Sequence, residues 1–571
     1  MIILGISCYY HDASAALIVD GKVVAAAAEE RFTRKKHDSS FPTNAIEFCL
    51  KTAGIKSGDI NWVTFYEKPF LKFERMNLSF LETAPRGREP FVNAYKVWLK
   101  QKLWVKSEIA KNLGIAERKI LFSGHHLSHA ASSYYTSPFK SAALLTVDGV
   151  GEWTTTAWGK GKGNKIELTS EVRFPHSLGL FYSTFTQFLG FRVNSGEFKV
   201  MGLAPYGEPK YYDEVKKTII QGKDGSFKLD LSYFNFQYSD KVSYNRKLVN
   251  LLGMEPNTKE KSEQVIKKYA DLAASVQVVL EESLVNIAKH VRKETGSKNL
   301  CYAGGVALNG VANWRIFKEA GFENLFIHPA AGDDGGSLGA ALYTYHHILG
   351  NKKREKFDNI YLGAENSESD IEGFLKTNNL KAKKLTDEKI TDIVSDYCKK
   401  GKVVAWVKGR FEWGPRALGA RSILADARSA EMKDIVNAKI KFREAFRPFA
   451  PVTLHEDARK VYEVGKDAKQ DPLQYMLAVV QVKEDQRKNL GAITHVNGSA
   501  RPQLIKKSMN KSYYDVVNAF KEKTGVPTLL NTSFNLRGEP IVNTAAEAYK
   551  TFIRSGIDAL VIENYLLEKK K

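Results

Sequence analysis

The chain repeats one order of apolar runs and turns, which limits the folds it can adopt. Residues 2–7 are apolar, a polar loop follows, and two further apolar runs flank the turn Asp20-Gly21. The same order returns later, where the apolar run 142–147 leads through a glycine loop into two more runs joined by a glycine-rich turn. Apolar runs bounded by Gly and Asp turns are typical of strands. The repeat therefore predicts an internal duplication of a strand–loop–hairpin unit.

Two glycine loops further along the chain add to this pattern. The loop 303–310 follows one short apolar run, and the loop 332–336 follows another and precedes a predicted helix at 337–349. Glycine at a strand-to-helix junction lets the backbone approach a ligand and points helix N–H groups at phosphate. Together with a long predicted helix at 271–291, these loops favour the fold of actin-like ATPases and sugar kinases, whose two halves hold a nucleotide.

The length of 571 residues requires more than one domain. We place the boundary at the charged stretch 350–356, which gives domains of residues 1–350 and 351–571. Apolar periodicity predicts that the second domain is smaller and mixed α/β. Its predicted strands are 403–407, 476–482 and 559–562, and its predicted helices are 369–377, 430–440, 514–523 and 545–555.

Several classes of protein fit the chain poorly. No apolar run approaches the ~20 residues that cross a bilayer, and the first residues lack the basic leader of a signal peptide. The four cysteines are scattered, which argues against a disulfide framework. We therefore expect a cytoplasmic protein without a membrane partner. The formal net charge of +21 invites a nucleic-acid interpretation, but the lysines are spread as on a solvated surface, so we do not expect a nucleic-acid partner.

Two histidines four residues apart form the first candidate site. His125 and His129 would share one face of a helix, where both rings can bind one cation. Asp148 follows the apolar run 142–147, and Asp334 lies in the second glycine loop. Two imidazoles with carboxylates suit a divalent first-row metal. The sequence therefore predicts a metal site, against the alternative that the histidines pack on an ordinary helix.

Arginines set among glycine, proline and apolar residues in the last third form the second candidate site. Exposed charge runs rarely have this composition, and the planar guanidinium binds phosphate oxygens in pairs. The residues are Arg410, Arg416, Arg421, Arg443, Arg447 and Arg501, with Lys439 and the polar run Asn531-Thr532-Ser533-Phe534-Asn535. We predict a phosphate pocket; the alternative is structural ion pairs, such as Arg416 with Glu412.

Short motifs are spread over almost the whole chain. They are His11-Asp12-Ala13-Ser14-Ala15-Ala16, His125-His126-Leu127-Ser128-His129-Ala130, Met201-Gly202-Leu203-Ala204-Pro205-Tyr206-Gly207, Gly304-Gly305-Val306-Ala307-Leu308-Asn309, Gly414-Pro415-Arg416-Ala417-Leu418-Gly419 and the run from Asn531 to Asn535. In these motifs the chain resembles the NodU/CmcH-type O-carbamoyltransferases of nodulation and antibiotic biosynthesis.

The resemblance implies a fold and a reaction. The N-terminal domain would be actin-like (the ASKHA fold), similar to the tRNA threonylcarbamoyl transferase, and the C-terminal domain would be YrdC-like, similar to threonylcarbamoyl-adenylate synthases. Carbamoyl phosphate and ATP would give carbamoyl adenylate with loss of phosphate and pyrophosphate. The carbamoyl group would then pass to a hydroxyl of a small-molecule acceptor. The enzyme would use these two co-substrates and a divalent metal of the Fe(II) type.

The resemblance and the residue pattern together assign roles. The metal would bind His125, His129, Asp148 and Asp334, because Asp334 matches the family's Asp-Gly-Gly ligand better than Asp333 does. The catalytic residues would be Arg416, Lys439, Arg447 and Arg501 for adenylation and His11 as a candidate base, whereas His126 is expected to pack. The ligand-binding residues would be Lys36 (for which a solvated lysine is the alternative), Gly304, Gly305, Asn309, Gly335, Gly336, Arg421, Arg443, Asn531, Ser533 and Asn535.

Three other classes of function stay open at this point. A tRNA threonylcarbamoyl-type transferase would share both folds and account for the positive charge. A sugar kinase of the actin-like fold would release ADP, and a nucleotide-gated binding module would leave the histidine pair unexplained. The sequence identifies neither the acceptor nor the oligomeric state, for which a homodimer is one option.

Overall fold

The computed structural model describes residues 1–258, 263–441, 444 and 446–569. The chain forms two compact units, of which the first comprises Met1–Val24 and Ser39–Phe357 and the second comprises Ala25–Asp38 and Asp358–Lys571. None of the described helices is both long and apolar enough to cross a membrane.

The segment 25–38 belongs to the second unit although it lies near the start of the chain. The Ala26 N–H donates a hydrogen bond to the Leu362 carbonyl, and the Arg34 guanidinium donates to the carbonyls of Pro540 and Ile541. These contacts join residues that are several hundred positions apart. A boundary read from local composition near residue 350 could not include them.

Two five-stranded sheets of the same topology form the centre of the first unit. Its strands in chain order are β1 (Ile2–Ser7), β2 (Ser14–Val19), β3 (Lys22–Ala28), β4 (Trp62–Phe65), β5 (Ile120–Phe122), β6 (Ser141–Val147), β7 (Thr154–Lys162), β8 (Lys165–Arg173), β9 (Ile219–Gln221), β10 (Phe227–Leu229), β11 (Asn299–Ala303) and β12 (Asn324–Ile327). The sheet orders are β3-β2-β1-β4-β5 and β8-β7-β6-β11-β12, and β9 pairs with β10. In each sheet the central strand pairs antiparallel with the following strand and parallel with a later one. This duplication confirms the predicted actin-like fold class.

Helices connect the strands of the first unit. In chain order the α-helices are α1 (Glu30–Thr33, in the segment of the second unit), α2 (Thr43–Ala53), α3 (Pro69–Thr83), α4 (Arg88–Lys100), α5 (Val105–Leu113), α6 (His125–Tyr134), α7 (Leu178–Phe188), α8 (Glu197–Leu203), α9 (Tyr212–Lys217), α10 (Arg246–Leu252), α11 (Glu263–Thr295), α12 (Gly310–Glu319) and α13 (Gly336–Tyr343). Helix α11 extends the predicted helix at both ends, and α13 continues as the π-helix Thr344–Ile348.

Helix α13 packs closely against both β1 and α6. A Cβ atom at Gly5 of β1 would lie 1.8 Å from the Ser337 carbonyl oxygen, and one at Gly339 would lie 1.8 Å from the Ser128 carbonyl oxygen. Such distances leave no room for a methyl group between the backbones. These two glycines therefore set how near the start of α13 approaches the histidines of α6.

One mixed sheet of eight strands forms the centre of the second unit. The strands of the second unit in chain order are β13 (Lys383–Lys384), β14 (Val404–Val407), β15 (Arg421–Asp426), β16 (Ala450–Leu454), β17 (Val480–Gln481), β18 (Ser499–Ala500), β19 (Gln503–Ile505), β20 (Thr528–Ser533), β21 (Ala559–Ile562) and β22 (Tyr565–Glu568). The order is β13-β22-β21-β14-β15-β20-β16-β19, while β17 and β18 form a separate pair. This unit confirms the predicted smaller mixed α/β domain.

Helices α15 and α19 cover the apolar centre of this sheet. The α-helices of the second unit are α14 (Glu368–Thr377), α15 (Asp387–Lys399), α16 (Glu431–Val436), α17 (Ala458–Val461), α18 (Glu484–Arg487), α19 (Lys511–Thr524) and α20 (Ala545–Ile553). Val394 of α15 and Phe520 of α19 are buried in the same core as Trp406 of β14.

Two predicted elements of the second unit differ from the structure. Of the predicted strand 476–482, only Val480–Gln481 forms a strand, β17. In place of the single predicted helix 430–440, the structure has α16, which continues as the π-helix Asn437–Lys441. Strands β15 and β20 are among those that escaped prediction, because polar or charged residues stand at both ends of β15 and make up four of the six residues of β20.

We expect Gly339→Ala to destabilise the first unit, because its new methyl group would push α13 away from α6. The cost should be about 1–3 kcal/mol, the usual range for overpacking a close contact. Thermal unfolding followed by circular dichroism measures it. Gly58→Ala is the matched control, since no atom lies within 4 Å of a Cβ there. Equal melting temperatures for the two variants would contradict the close packing.

Candidate metal centre and anion-binding site

The two histidines lie where the sequence predicted, one turn apart on α6. His125 is the first residue of α6, and both rings are buried with 1% of each residue exposed. Their Nε2 atoms are 3.1 Å apart. Asp148, directly after β6, places Oδ2 at 2.9 Å from the His125 Nε2 and at 3.5 Å from the His129 Nε2. Three of the four predicted metal ligands are thus brought together.

The fourth group of the cluster is Asp333 and not its neighbour Asp334. The Asp333 Oδ1 lies 3.6 Å from the His125 Nε2 and 3.4 Å from the His129 Nε2. The Asp334 carbonyl instead accepts hydrogen bonds from the Ser14 and Ser337 hydroxyls. These bonds fix the turn before α13 so that the preceding side chain faces the histidines. The expected ligand set is corrected accordingly.

The donor atoms of this cluster fit a metal ion. One ligand atom from each of His125, His129, Asp148 and Asp333 lies within 4.8 Å of the others. Both carboxylate oxygens of Asp333 are buried and have no hydrogen-bond partner in the part of the chain that the structure describes. Two imidazole nitrogens and two carboxylate oxygens suit a divalent first-row metal. Binding of a metal here stays a prediction.

The pKa values of these groups show how strongly they depend on one another. Burial alone would lower the pKa of His129, but Asp148 and Asp333 raise it to about 10. Burial alone would raise the pKa of Asp148, but hydrogen bonds from His125 and His129 hold it well below its usual value. The two carboxylates therefore require a positive charge beside them, which a proton or a metal cation can supply.

Two glutamates that the sequence analysis missed support His125 from outside the cluster. The Glu67 Oε2 lies 3.9 Å from the His125 Nδ1 and accepts a hydrogen bond of 2.6 Å from the buried Lys72. Glu152 accepts the backbone N–H groups of His125 and Lys68. Glu67 follows the end of β4, a strand that the sequence analysis did not predict, so no sequence pattern pointed to this residue.

His11 lies at the edge of the cluster, and His126 does not contribute to it. The His11 Nε2 is 3.7 Å from the Asp333 Oδ2, and its Nδ1 is 2.9 Å from the Asp12 Oδ2. Burial opposes the charge on His11, but Asp333 and Asp12 raise its pKa to about 9. His126 instead bonds Thr146 and Thr154, and burial lowers its pKa to about 3. His126 thus packs, as expected.

The first glycine loop lies beside Asp148. Gly304 has a φ of 99°, and a Cβ there would lie 2.2 Å from the Val147 carbonyl oxygen. The Gly305 N–H donates to the Asp148 Oδ1 at 2.9 Å. Asn309 accepts the Ala312 N–H at the start of α12 and exchanges hydrogen bonds with Gln277. This loop therefore fixes the second oxygen of the Asp148 carboxylate.

The second glycine loop positions Asp333. Gly335 donates its N–H to the Gly332 carbonyl, and Gly336 begins α13. A Cβ at Gly335 would lie 2.0 Å from the Ala330 carbonyl oxygen, and one at Gly336 would lie 2.8 Å from the Tyr66 ring. Both glycines are thus required by packing around the turn that carries Asp333.

Arg416 is the residue of the second unit best placed to bind an anion. Its Nε is buried without a hydrogen-bond partner among the described residues. Burial, together with the charge of Arg447, lowers the pKa of Arg416 to about 10. Glu412, the alternative ion-pair partner, instead accepts the N–H groups of Leu418 and Ala420. The charge of Arg416 is therefore costly unless an anion approaches it.

Arg421 and Asn531 are engaged by the protein itself. The Arg421 guanidinium donates to the carbonyls of Gly409, Ala420 and Ala364. Asn531 donates to the Ala417 carbonyl and the Gln503 side chain. These contacts use the terminal nitrogens of Arg421, while its Nε is buried without a hydrogen-bond partner among the described residues, so its ligand-binding role stays a prediction. The Asn531 Oδ1 is buried without a hydrogen-bond partner in the described part of the chain.

Lys441, which the sequence analysis missed, contacts Ser533 and Asn535 of the polar run 531–535. Lys441 is buried, and its Nζ donates hydrogen bonds to the Ser533 and Asn535 carbonyls. The same Nζ lies 2.9 Å from the Asn535 Oδ1. The Ser533 hydroxyl donates to the same Asn535 oxygen at 2.7 Å. A single lysine in a charged stretch gave no signal in the sequence.

The remaining predicted residues have varied positions. Arg447 is 3.7 Å from Glu444, Arg410 donates to the carbonyls of Leu362 and Gly363, and Arg501 lies half-buried between β18 and β19. Lys439 is exposed, and Lys36 is an exposed residue of the second unit, so it does not lie in the first domain as expected. Arg443 lies outside the described residues.

Comparison with known proteins covers nearly the whole chain. The family described as Carbamoyltransferase N-terminus matches residues 2–342, and Carbamoyltransferase C-terminus matches residues 395–569. Nodulation protein NolNO of Sinorhizobium fredii is 36% identical over 98% of this chain and 79% of its own length. The 3'-hydroxymethylcephem-O-carbamoyltransferase of Amycolatopsis lactamdurans is 30% identical over 78% of this chain and 80% of its own length.

Among solved structures, the ROK hexokinase from Thermus thermophilus aligns with 62% of this chain and 100% of its own, with a TM-score of 0.32 and 15% identity.

The two family matches together cover both units, and the sequence relatives extend across most of the chain. The predicted resemblance is thereby confirmed: the chain belongs to the carbamoyltransferase family and is an enzyme that transfers carbamoyl groups.

Proposed function

We propose that this enzyme is an ATP-dependent O-carbamoyltransferase that acts through carbamoyl adenylate. Carbamoyl phosphate, ATP and water would give carbamoyl adenylate, phosphate and pyrophosphate. A hydroxyl of a small-molecule acceptor would then attack the carbamoyl carbon, and the bond from that carbon to AMP would break. The observation that carries the proposal is the buried cluster of His125, His129, Asp148 and Asp333 in a chain of this family.

Residues of the second unit support the adenylation step. Both substrates carry several phosphate charges, and the half-buried Arg416, whose Nε is buried without a partner among the described residues, is suited to receive them. Arg416 would bind phosphate oxygens, with Arg447 and Arg501 as further charges. Lys439 would contribute from the surface. These cations would oppose the negative charge that develops on the leaving phosphate groups.

Residues of the first unit support the transfer step. His125, His129, Asp148 and Asp333 would hold a divalent metal, which we propose to be Fe(II). When bound, such a metal polarises the carbamoyl oxygen as a Lewis acid. His11 would accept the proton of the acceptor hydroxyl at Nε2 in its unprotonated form, which requires a pH near its pKa of about 9 or a cation that offsets the charge of Asp333. The Asp12 carboxylate, 2.9 Å from the His11 Nδ1, would stabilise the imidazolium that forms.

The products test the reaction class. Incubation of the enzyme with ATP, carbamoyl phosphate and candidate alcohols should release pyrophosphate, phosphate and AMP. The acceptor should gain one carbamoyl group in place of its hydroxyl hydrogen, which mass spectrometry detects. Release of ADP would instead indicate a kinase, and tight, salt-sensitive binding of tRNA would indicate a tRNA-modifying transferase.

Arg416→Ala should lose carbamoyl-phosphate-dependent release of pyrophosphate while keeping its metal content. Removing one group that stabilises developing charge commonly costs about 100-fold or more in rate. A pyrophosphate assay measures the loss, and elemental analysis measures the metal. Arg459→Ala is the control, because Arg459 is exposed on α17. Unchanged pyrophosphate release from Arg416→Ala would remove Arg416 from the adenylation site.

His129→Ala should show the opposite pattern. It should still release pyrophosphate in the presence of carbamoyl phosphate but form little carbamoylated product. The loss should exceed the roughly 10–100-fold that removal of an outer-shell partner costs, since a proposed ligand is gone. His290→Ala, on α11 away from the cluster, is the control. If His129→Ala and Arg416→Ala fail at the same first step, the assignment of two sites is wrong.

Glu67→Gln should weaken metal binding by roughly 10–100-fold, the usual effect of losing an outer carboxylate beside a ligating histidine. Titration with Fe(II) against a competing chelator measures the affinity directly. Glu47→Gln, on the exposed face of α2, is the control. If Glu67→Gln lowers the melting temperature but leaves the metal affinity unchanged, Glu67 serves only as the partner of Lys72.

A further inference from the structure

Exposed apolar side chains are concentrated on one helical hairpin of the first unit. Eight of the sixteen large apolar side chains that are strongly exposed in the described part of the chain lie between residues 70 and 104. Four of them are on α3: Phe70, Leu71, Leu78 and Leu81, with exposed fractions of 71%, 43%, 41% and 68%. Scattered apolar residues on a surface are ordinary, but a contiguous group marks an interaction site.

These four side chains form a continuous stripe. At about 100° of rotation per residue, Phe70, Leu81, Leu78 and Leu71 fall within an arc of about 100° on α3. Glu74 lies in the same arc. We call these four apolar residues the α3 stripe.

The opposite face of α3 is already packed. The Phe73 ring lies 5.6 Å from the Tyr95 ring and 5.8 Å from the Trp98 ring, and the Phe80 ring lies 4.1 Å from the Phe91 ring. These aromatic contacts join α3 to α4 and give the hairpin its own core. The α3 stripe is therefore a second apolar face, beyond what the hairpin needs for packing.

The apolar residues of the α3 stripe are placed almost symmetrically along the helix, so the stripe can pack against the same stripe of a second, antiparallel copy. Two apolar residues lie near each end, Phe70 with Leu71 and Leu78 with Leu81. If two α3 helices pack antiparallel about a two-fold axis near residue 75, Phe70 of one copy meets Leu81 of the other. The same arrangement brings the exposed Lys68 of each copy near the exposed Glu82 of the other. Antiparallel helices also place opposite dipole ends together.

We propose that the α3 stripe is the surface through which two copies of this chain associate. The net charge of +21 opposes association, but exposed charges are screened beyond about 8 Å at physiological ionic strength. The stripe itself carries apolar residues flanked by one cation and one anion. Glu74 within the arc disfavours an anionic lipid surface as the occupant. The proposal does not depend on the reaction mechanism.

The oligomeric state of the full chain tests the proposal. Light scattering after size exclusion, from about 1 to 50 μM protein, should give the mass of a dimer that dissociates on dilution. Leu81→Glu should give a monomer, whereas Ile220→Glu, an equally exposed site on β9, should leave the dimer intact. A wild-type chain that stays monomeric over this range would overturn the proposal.

Reversal of charge tests the antiparallel register. Lys68→Glu should raise the dissociation constant of the dimer several-fold, because it would meet Glu82. The double variant Lys68→Glu/Glu82→Lys should restore the wild-type value. Failure of the double variant to recover would contradict the proposed register.

Cross-linking tests the contact itself. The four native cysteines are buried, so they contribute little background. In Phe70→Cys/Leu81→Cys, mild oxidation should link two chains, while each single variant should stay largely unlinked because the axis pairs unlike positions. Equal cross-linking of the single variants, or none in the double variant, would refute this arrangement. Binding of a monomeric chain to phosphatidylglycerol vesicles, lost in Leu81→Glu, would overturn it in favour of a lipid surface.

Discussion

A buried and a half-buried carboxylate beside two buried imidazoles set the requirements for the first unit. Asp148 follows a central strand, Asp333 lies in the turn before α13, and His125 and His129 come from α6. Uncompensated carboxylates in a protein interior cost of the order of several kcal/mol each. The fold therefore has to hold positively charged groups close to these carboxylate oxygens and leave the side chains little freedom to move. The close approach of Gly339 to Ser128 limits this freedom, because it holds α13 in direct backbone contact with α6.

Part of this arrangement is readable from the sequence because it is local. The strand pattern before Asp148 and the four-residue spacing of His125 and His129 each depend on a single element, and the structure places all three residues as expected. The duplicated sheets follow from the same pattern of apolar runs and turns. Local periodicity also predicted α14, α16, α19 and α20 of the second unit, but it missed α15, which covers the same sheet.

The rest depends on contacts between distant parts of the chain. Asp333 and Asp334 are adjacent, and tertiary hydrogen bonds such as that from Ser14 to the Asp334 carbonyl help to decide which side chain faces the histidines. Arg421 looks like a phosphate ligand by composition, yet both of its terminal nitrogens donate to carbonyls brought near by the fold. Segment 25–38 joins the second unit through partners beyond residue 360. No spacing rule predicts such contacts.

The two candidate sites share one electrostatic principle with opposite signs. Around Asp333 the fold buries acceptors that lack donors, and around Arg416 it buries a donor that lacks an acceptor. Burial disfavours the charged form of both His129 and Arg416: the carboxylates of Asp148 and Asp333 outweigh it and raise the pKa of His129, whereas none of the described residues offsets it at Arg416, whose pKa is lowered. Each site is less stable alone than with a ligand of the complementary charge, so binding recovers part of the folding cost. A cation in the first unit and a phosphate anion in the second are the ligands that this logic selects, and the proposed carbamoyl transfer through an adenylate would use both.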